Sequence, residues 1–482
     1  LALALSLSCL TTLGGMKLSR PPAASDEPPR QRQVARQWLA GDHHIHSQYS
    51  VGWDTTTNPP TPVVAGDARY PIPTNAEMAK RHGLSWMVST DHGGPNHSKV
   101  NLEMAYPELL ESREAVPGLI QFYGMEFDTP GAEHSSLIIP HSHEEHATLY
   151  DLESRFARRE PFPPDSTRHT EAAMLNALAY MRGLSLPPLL FANHPSRSAR
   201  GLGVYGSNTP RELRNWNNTA PRVATGMEGA PGHQARAIAP DGSIDPEGVR
   251  GGYRNHPTMG GFDQMTARLG GFWDSMLGEG RRWWITSTSD SHVHWREGGS
   301  DFWPGEYSKT YVFAEHSYDD ILDGLRNGRV FVTTGDLISE LDVTVAAGGR
   351  EASIGEEVDV EAGENMIVTI RLRDPESANP HGETPAVRHV DLIFGEITGI
   401  LEDLTTDTNP TTHVVARFTS EDWEDEGEYR EMTYTLENVR LPGYVRVRGT
   451  NTDELEPQID PPGEDPWSDL WFYSNPVFID SR

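Results

Sequence analysis

The stretch GDHHIHSQYS, Gly41 to Ser50, decides how the chain is read, because it sets His44 and His46 two residues apart at the end of an expected short strand. In an extended chain residues i and i+2 share a face, so both imidazoles, with Asp42 beside them, can converge on one point. Taken alone, such a pair is equally readable as an exposed histidine-rich turn. Four further stretches repeat the pattern: STDHGG with Asp91 and His92, GMEFD with Glu126, FANHPSR with His194, and STSDSHVH with Asp290, His292 and His294. Each ends an apolar, strand-like run with a His, Asp or Glu.

Helical stretches separate these runs. Thr74 is placed to cap a helix over TNAEMAKRHG that Gly83 ends, and further helices are expected around Lys99 to Ala115 and Thr170 to Arg182. FDQMTARLGGFWDSML carries an apolar stripe, and YDDILDGLRNG precedes the strand RVFVTTG. The near-continuous apolar run in PPLLFANHP suits a parallel strand covered on both faces. Repeated β-α units with functional residues at the carboxyl ends of strands point to a parallel α/β barrel whose active site occupies that rim. An open doubly wound sheet is the alternative, and no glycine-rich phosphate loop supports it. From Ser339 onward, stretches such as LDVTVAAGG, MIVTIRLRD and RHVDLIFGE alternate apolar and polar residues between turn signals, the mark of a β-sandwich. The expected organisation is a leader and flexible linker over 1–37, a barrel domain over 38–338 and a β-sandwich domain over 339–482. Within the last, EDWEDEGEYRE reads as a solvated acidic loop, since it lacks the glycine-punctuated spacing of a calcium loop.

Composition narrows the chemistry. The 482 residues carry a formal net charge of -30, which repels phosphate backbones, so a small substrate is expected and a nucleic-acid polymer is not. The single cysteine, Cys9, lies in the leading segment, so any metal ligands must be His and carboxylate. LALALSLSCLTTLGG resembles the apolar core of an export signal, with Met16 as an alternative start; export is expected, with tethering through the leader as a variant of it. No later stretch approaches the roughly 20 apolar residues of a membrane span.

The ordered set D-x-H-x-H, T-D-H, G-x-E, N-H-P and S-D-x-H resembles the polymerase and histidinol phosphatase (PHP) superfamily of metallohydrolases. GRVFVTTG, the leading GDHHIHS and the late SNPVFI make it similar, more narrowly, to the carbaryl-hydrolase-like branch. The resemblance spans Gly41 to Gly335 and implies a distorted (β/α)7-type barrel. It further implies that His44, His46, Glu126 and Asp290 hold a first metal, and that Glu126 bridges to a second held by His194 and His134. His92 and His292, with Asp91 nearby, would hold a third. The chain departs from some trinuclear members six residues after His46, where Gly52 replaces a histidine.

Imidazoles and carboxylates without sulfur suit two or three divalent ions of zinc, manganese or iron. Paired ions lower the pKa of a bridging water and make hydroxide available at neutral pH. No Ser or Cys nucleophile is required, and GxSxG is absent. Glu126, Asp290, Asp91 and Arg197 are the expected catalytic groups, with Asp91 read first as a ligand and, as the lesser alternative, as a residue that orients one. Arg197 and Lys309 could hold an anionic substrate or form salt bridges. His294 could be a ligand or cover the rim, and His141, His143 and His146 fall in a polar loop. The leading expectation is a phosphoesterase on a small organic phosphate. Carbamate or carboxylic ester hydrolysis is the runner-up, and a non-catalytic surface-binding protein the third reading.

Overall fold

Nine strands order the part of the molecule that carries the histidines. In the computed structural model, which describes residues 35–253 and 255–481, these are β1 (Gln37–Ile45), β2 (Trp86–Ser89), β3 (Ile120–Phe127), β4 (Ser135–Ile139), β5 (Leu189–Ala192), β6 (Ala224–Ala230), β7 (Trp284–Ser287), β8 (Ser308–Ala314) and β9 (Val330–Thr334). The expected leader lies outside the described residues. β2 to β7 are buried at every position, as strands covered on both faces must be.

β1, β2 and β3 pair in parallel, and so do β5, β6 and β7. Between the two sets β4 runs antiparallel to both β3 and β5. Strict β-α alternation therefore fails at one place, where only seven residues join β3 to β4, too few for a crossover helix. The consequence decides the site. Two reversals restore direction, so the carboxyl ends of β1, β2, β3, β5, β6 and β7 share one rim, and β4 contributes its amino end there.

Helices cover the other face. Thr170 accepts the Ala173 N–H and starts Glu171–Arg182 where the sequence places it. The helix assigned to Thr74 begins earlier, at Ile72–Arg81 after Pro71, because a proline preset for helix stands in its first turn. FDQMTARLGGFWDSML splits into Gln264–Ala267 and Phe272–Gly278, broken at Gly270, whose φ of 67° lies in the left-handed region.

The sheet does not stop at β1. It continues through antiparallel β8 and β9 to Trp471–Ser474 and on to Gly443–Thr450, His389–Glu396 and Val477–Ser481. Fifteen strands form this one mixed sheet. At the other end β7 meets β8 through side chains: Thr310 Oγ1 accepts the Ser287 N–H at 2.9 Å and donates to the Ser287 carbonyl at 2.7 Å. Asn475 likewise binds both backbone polar groups of Ile285. Among the described residues the ring of backbone pairing expected of a closed barrel is not complete. The fold is a mixed α/β architecture followed by a β-rich C-terminal region, which has a five-stranded antiparallel sheet of its own around Glu364–Arg373. The acidic stretch there is an exposed hairpin, Glu424–Glu426 against the start of Tyr429–Val439. Among the described residues no helix is long and apolar enough to cross a membrane.

Candidate metal centre

His44 and His46 leave the end of β1 on the same face, as their spacing requires, and their Nε2 atoms lie 3.0 Å apart. Asp290 Oδ1 sits 3.1 Å from the first and 3.0 Å from the second. Glu126 adds Oε1 at 3.3 Å from His44 and Oε2 at 3.7 Å from His46. The proton positions follow from what stands behind each ring. Glu228 Oε1 lies 2.6 Å from His44 Nδ1, so that nitrogen carries the hydrogen and Nε2 turns a lone pair inward. His46 Nδ1 meets Ser50 Oγ at 2.8 Å, and Ser50 in turn donates to Asp91 Oδ1 at 2.9 Å. Two lone pairs and three carboxylate oxygens then face one another, an arrangement that a metal ion or added protons relieve.

Distances test the fit. Zinc–nitrogen bonds of about 2.0–2.1 Å place tetrahedral donors roughly 3.3 Å apart, and the spacings around Asp290 match that. Asp290 Oδ1 is moreover a buried acceptor without a hydrogen-bond partner, although two ring nitrogens lie close by. Burial by itself would raise the carboxyls of Glu126 and Asp290; the surrounding imidazoles, His134 and His44 for the first and His44 and His233 for the second, outweigh it and hold both well below the usual range. Burial would lower His44, yet Asp290, Glu228 and Glu126 pull it well above its ordinary value. The surrounding carboxylates favour positive charge at this point, whether on His44 or on a bound ion.

A second donor set meets the same Glu126 oxygen that faces His44. His134 Nδ1, at the amino end of β4, is 2.9 Å from Glu126 Oε1, and His194 Nε2, after β5, is 3.0 Å from it. Glu126 thus touches four histidines. Asp128 stands behind His134, 3.4 Å from its Nε2. Three non-glycine residues at this rim hold left-handed backbone, His194 with φ 30°, His233 with φ 55° and Asp290 with φ 47°. Such conformations cost of order 1 kcal/mol or more each and persist where the surroundings fix them.

Other predicted residues are placed differently. Asp91 does not join the donors: Oδ1 accepts the Ser47 N–H at 2.6 Å as well as Ser50, and Oδ2 accepts Ser47 Oγ at 2.8 Å. Its part is to orient His46 through Ser50. Asp42 likewise turns away, accepting the N–H groups of His44 and Ser289 and tying β1 to the loop after β7. His92 and His292 come close to His46, with one ring nitrogen of each of the three within 4.8 Å of the others. Asp67 reaches them from the loop before Ile72, its Oδ2 lying 2.5 Å from His92 Nε2. Arg197 lines the cavity of about 390 Å³ over the cluster and pairs with Glu133 at 3.6 Å. Lys309 is taken up by Asp336 at 2.5 Å. His141 stacks on Tyr318 and His146 on Tyr106.

His294 is engaged on both nitrogens, Nε2 with Glu306 at 3.0 Å and Nδ1 with the Arg296 N–H at 3.3 Å. His294→Ala is therefore expected to leave metal content unchanged, as measured by elemental analysis; a lost ion would return it to the ligands. Four residues that matter here were not singled out from the sequence: Glu228, His233, Asp301 and Asp67. Glu228 had a usable signal, a carboxylate near the end of an apolar strand like Glu126. The others sit in irregular loops without periodicity. Because Glu228 also accepts the His194 N–H at 2.5 Å, Glu228→Gln should weaken metal binding by about 10- to 100-fold, read by chelator competition. Unchanged affinity would deny it the orienting role.

No family model matches the chain, and no curated protein matches it. Among solved structures it is similar to an Endonuclease Q complexed with a 27-mer duplex substrate bearing an abasic lesion at the active site. The TM-score is 0.30 at 14% identity, over 61% of this chain and 56% of that one. That duplex-bound neighbour runs against the expectation that a nucleic-acid polymer is no partner, and the exclusion is withdrawn. Its physical basis was also too coarse: a net charge of -30 averages over the whole surface, whereas the field at the rim is set locally by Asp67, Glu126, Asp290 and Asp301, by Arg197 and by any bound cations. At so low a score the likeness assigns no substrate to this chain.

Proposed function

We propose that the chain is a metal-dependent hydrolase cleaving phosphoester bonds at the rim of β1 to β7. The observation that carries this reading is Glu126, one buried carboxylate shared between the His44–His46–Asp290 donors and the His134–His194 donors. Two divalent ions, when bound, would activate a water and offset charge developing on the attacked and leaving oxygens. His44, His46 and Asp290 would hold one ion, His134 and His194 the other, and Glu126 both. Zinc, manganese and iron all suit this donor set. Glu228 and the Ser50–Asp91 pair keep the protons of His44 and His46 on Nδ1, which fixes both rings as ligands. Arg197 lies near Glu126 and Asp290, whose charges help raise its pKa against the effect of burial. It is the group we assign to a non-bridging phosphoryl oxygen. We read the curled sheet from β1 to β7 as the distorted (β/α)7-type barrel that the motifs imply.

The test is a substrate panel with zinc or manganese: phosphomonoesters, phosphodiesters including a short DNA duplex, and aryl carbamates. Phosphoester turnover that Arg197→Ala weakens mainly through KM supports the reading. Turnover of carbamates alone rejects it. A single tightly held ion with no ester hydrolysed would make the site a structural one.

A further inference from the structure

His233 stands in the loop after β6, outside every motif, yet it is built like the ligands. Its Nδ1 lies 2.5 Å from Asp301 Oδ1. Asp301 is itself fixed, since Oδ2 accepts the N–H groups of His292 at 2.6 Å and Val293 at 3.0 Å. With its hydrogen given to Asp301, the ring turns the Nε2 lone pair toward Asp290 Oδ2, 3.0 Å away. Two acceptors at that separation repel unless a cation lies between them. The left-handed backbone at His233 aims the ring there. His292 stands beside them: its Nδ1 lies 2.9 Å from the Asp290 carbonyl oxygen and 3.5 Å from Asp290 Oδ1, and its Nε2 is 3.8 Å from Asp67 Oδ2. One ligand atom of each of His233, Asp290 and His292 lies within 4.8 Å of the others.

We propose that His233 is a metal ligand, completing with Asp290 Oδ2 and His292 a third cation position beside the two assigned above. The proposal rests on the two-metal reading of Glu126 and extends it. Asp290 would then, like Glu126, serve two positions, with Oδ1 directed to His44 and His46 and Oδ2 to His233. The arrangement behind the ring matches His44, whose outer nitrogen is held by Glu228 as that of His233 is by Asp301. A carboxylate behind an imidazole fixes its tautomer and raises its basicity as a ligand. His233 would also supply a donor that Gly52 cannot.

The competing account is that a proton, not a metal, fills the gap between His233 and Asp290. Counting ions separates the two. The full chain would be loaded with manganese, dialysed and analysed for metal, and the positions checked by anomalous diffraction at the manganese edge. On this assignment the parent holds about three ions and His233→Ala about two, with the pair at Glu126 still occupied. His233→Glu, which returns a carboxylate oxygen to the same place, restores the third. Equal ion counts in the parent and His233→Ala overturn the proposal, as does a His233→Glu protein as depleted as the alanine variant. Failure of the underlying reading looks different: Glu126→Gln would then keep all its metal, whatever His233 does.

Discussion

Glu126→Gln is expected to lower metal content by about one ion per chain and turnover on the order of 10³-fold or more. The substitution preserves size while removing the negative charge and turning one acceptor oxygen into an NH2 group, so the cause would be the lost anionic ligand. One carboxylate contacts His44, His134 and His194 through Oε1 and His46 through Oε2, and its charge is what would hold two dipositive ions in proximity. A neutral amide leaves their mutual repulsion uncompensated. Folding should survive, because the neighbours of Glu126 in β3, Met125 and Phe127, are packed in an apolar core that the change does not touch. Elemental analysis and circular dichroism together check this. A Glu126→Gln protein with full metal and full turnover would remove the bridge and the two-metal reading with it.

Much of the site was legible because strands present their ends predictably. His44, His46, Glu126, His194 and Asp290 each follow an apolar run, and parallel strands bring such ends to one rim. His134 was reached only through the family resemblance; why it belongs to the cluster depends on β4 being antiparallel, which short loop length hints at but periodicity does not show. Asp91 has the right composition and the wrong orientation: whether a carboxylate faces the ligands or stands behind one is a matter of which oxygens Ser47 and Ser50 occupy. Asp67, His233 and Asp301 reach the cluster from loops whose paths are set by tertiary contacts, so no local pattern announces them. In the fold, the change of pattern near Ser339 was readable as a change to alternating strands, and Glu340–Ala347 does alternate between buried and partly buried positions. That Trp471–Ser474 would pair with β9 was not, because register between strands some 140 residues apart leaves no trace in either segment.

The same junction supports a stability experiment. Asp274, in the helix Phe272–Gly278, receives two parallel bonds from Arg446 of the strand Gly443–Thr450, Nε to Oδ1 at 2.8 Å and Nη2 to Oδ2 at 2.7 Å. Both side chains are 1% exposed, and the guanidinium also stacks over Trp273 at 4.7 Å. Tyr444 donates a further bond to Asp274 Oδ1 at 3.0 Å. An arginine cannot shed its charge when its partner is removed, so Asp274→Ala strands a buried cation and should cost about 3–5 kcal/mol. Replacing both, Asp274→Leu with Arg446→Met, removes the desolvation penalty along with the attraction and should recover most of that loss. Because the pair links a helix beside β7 to a strand after residue 440, the Asp274→Ala loss should shift one cooperative transition in urea, seen alike by tryptophan fluorescence and circular dichroism. Two separated transitions, with only one displaced, would show that the C-terminal strands unfold on their own despite the shared sheet.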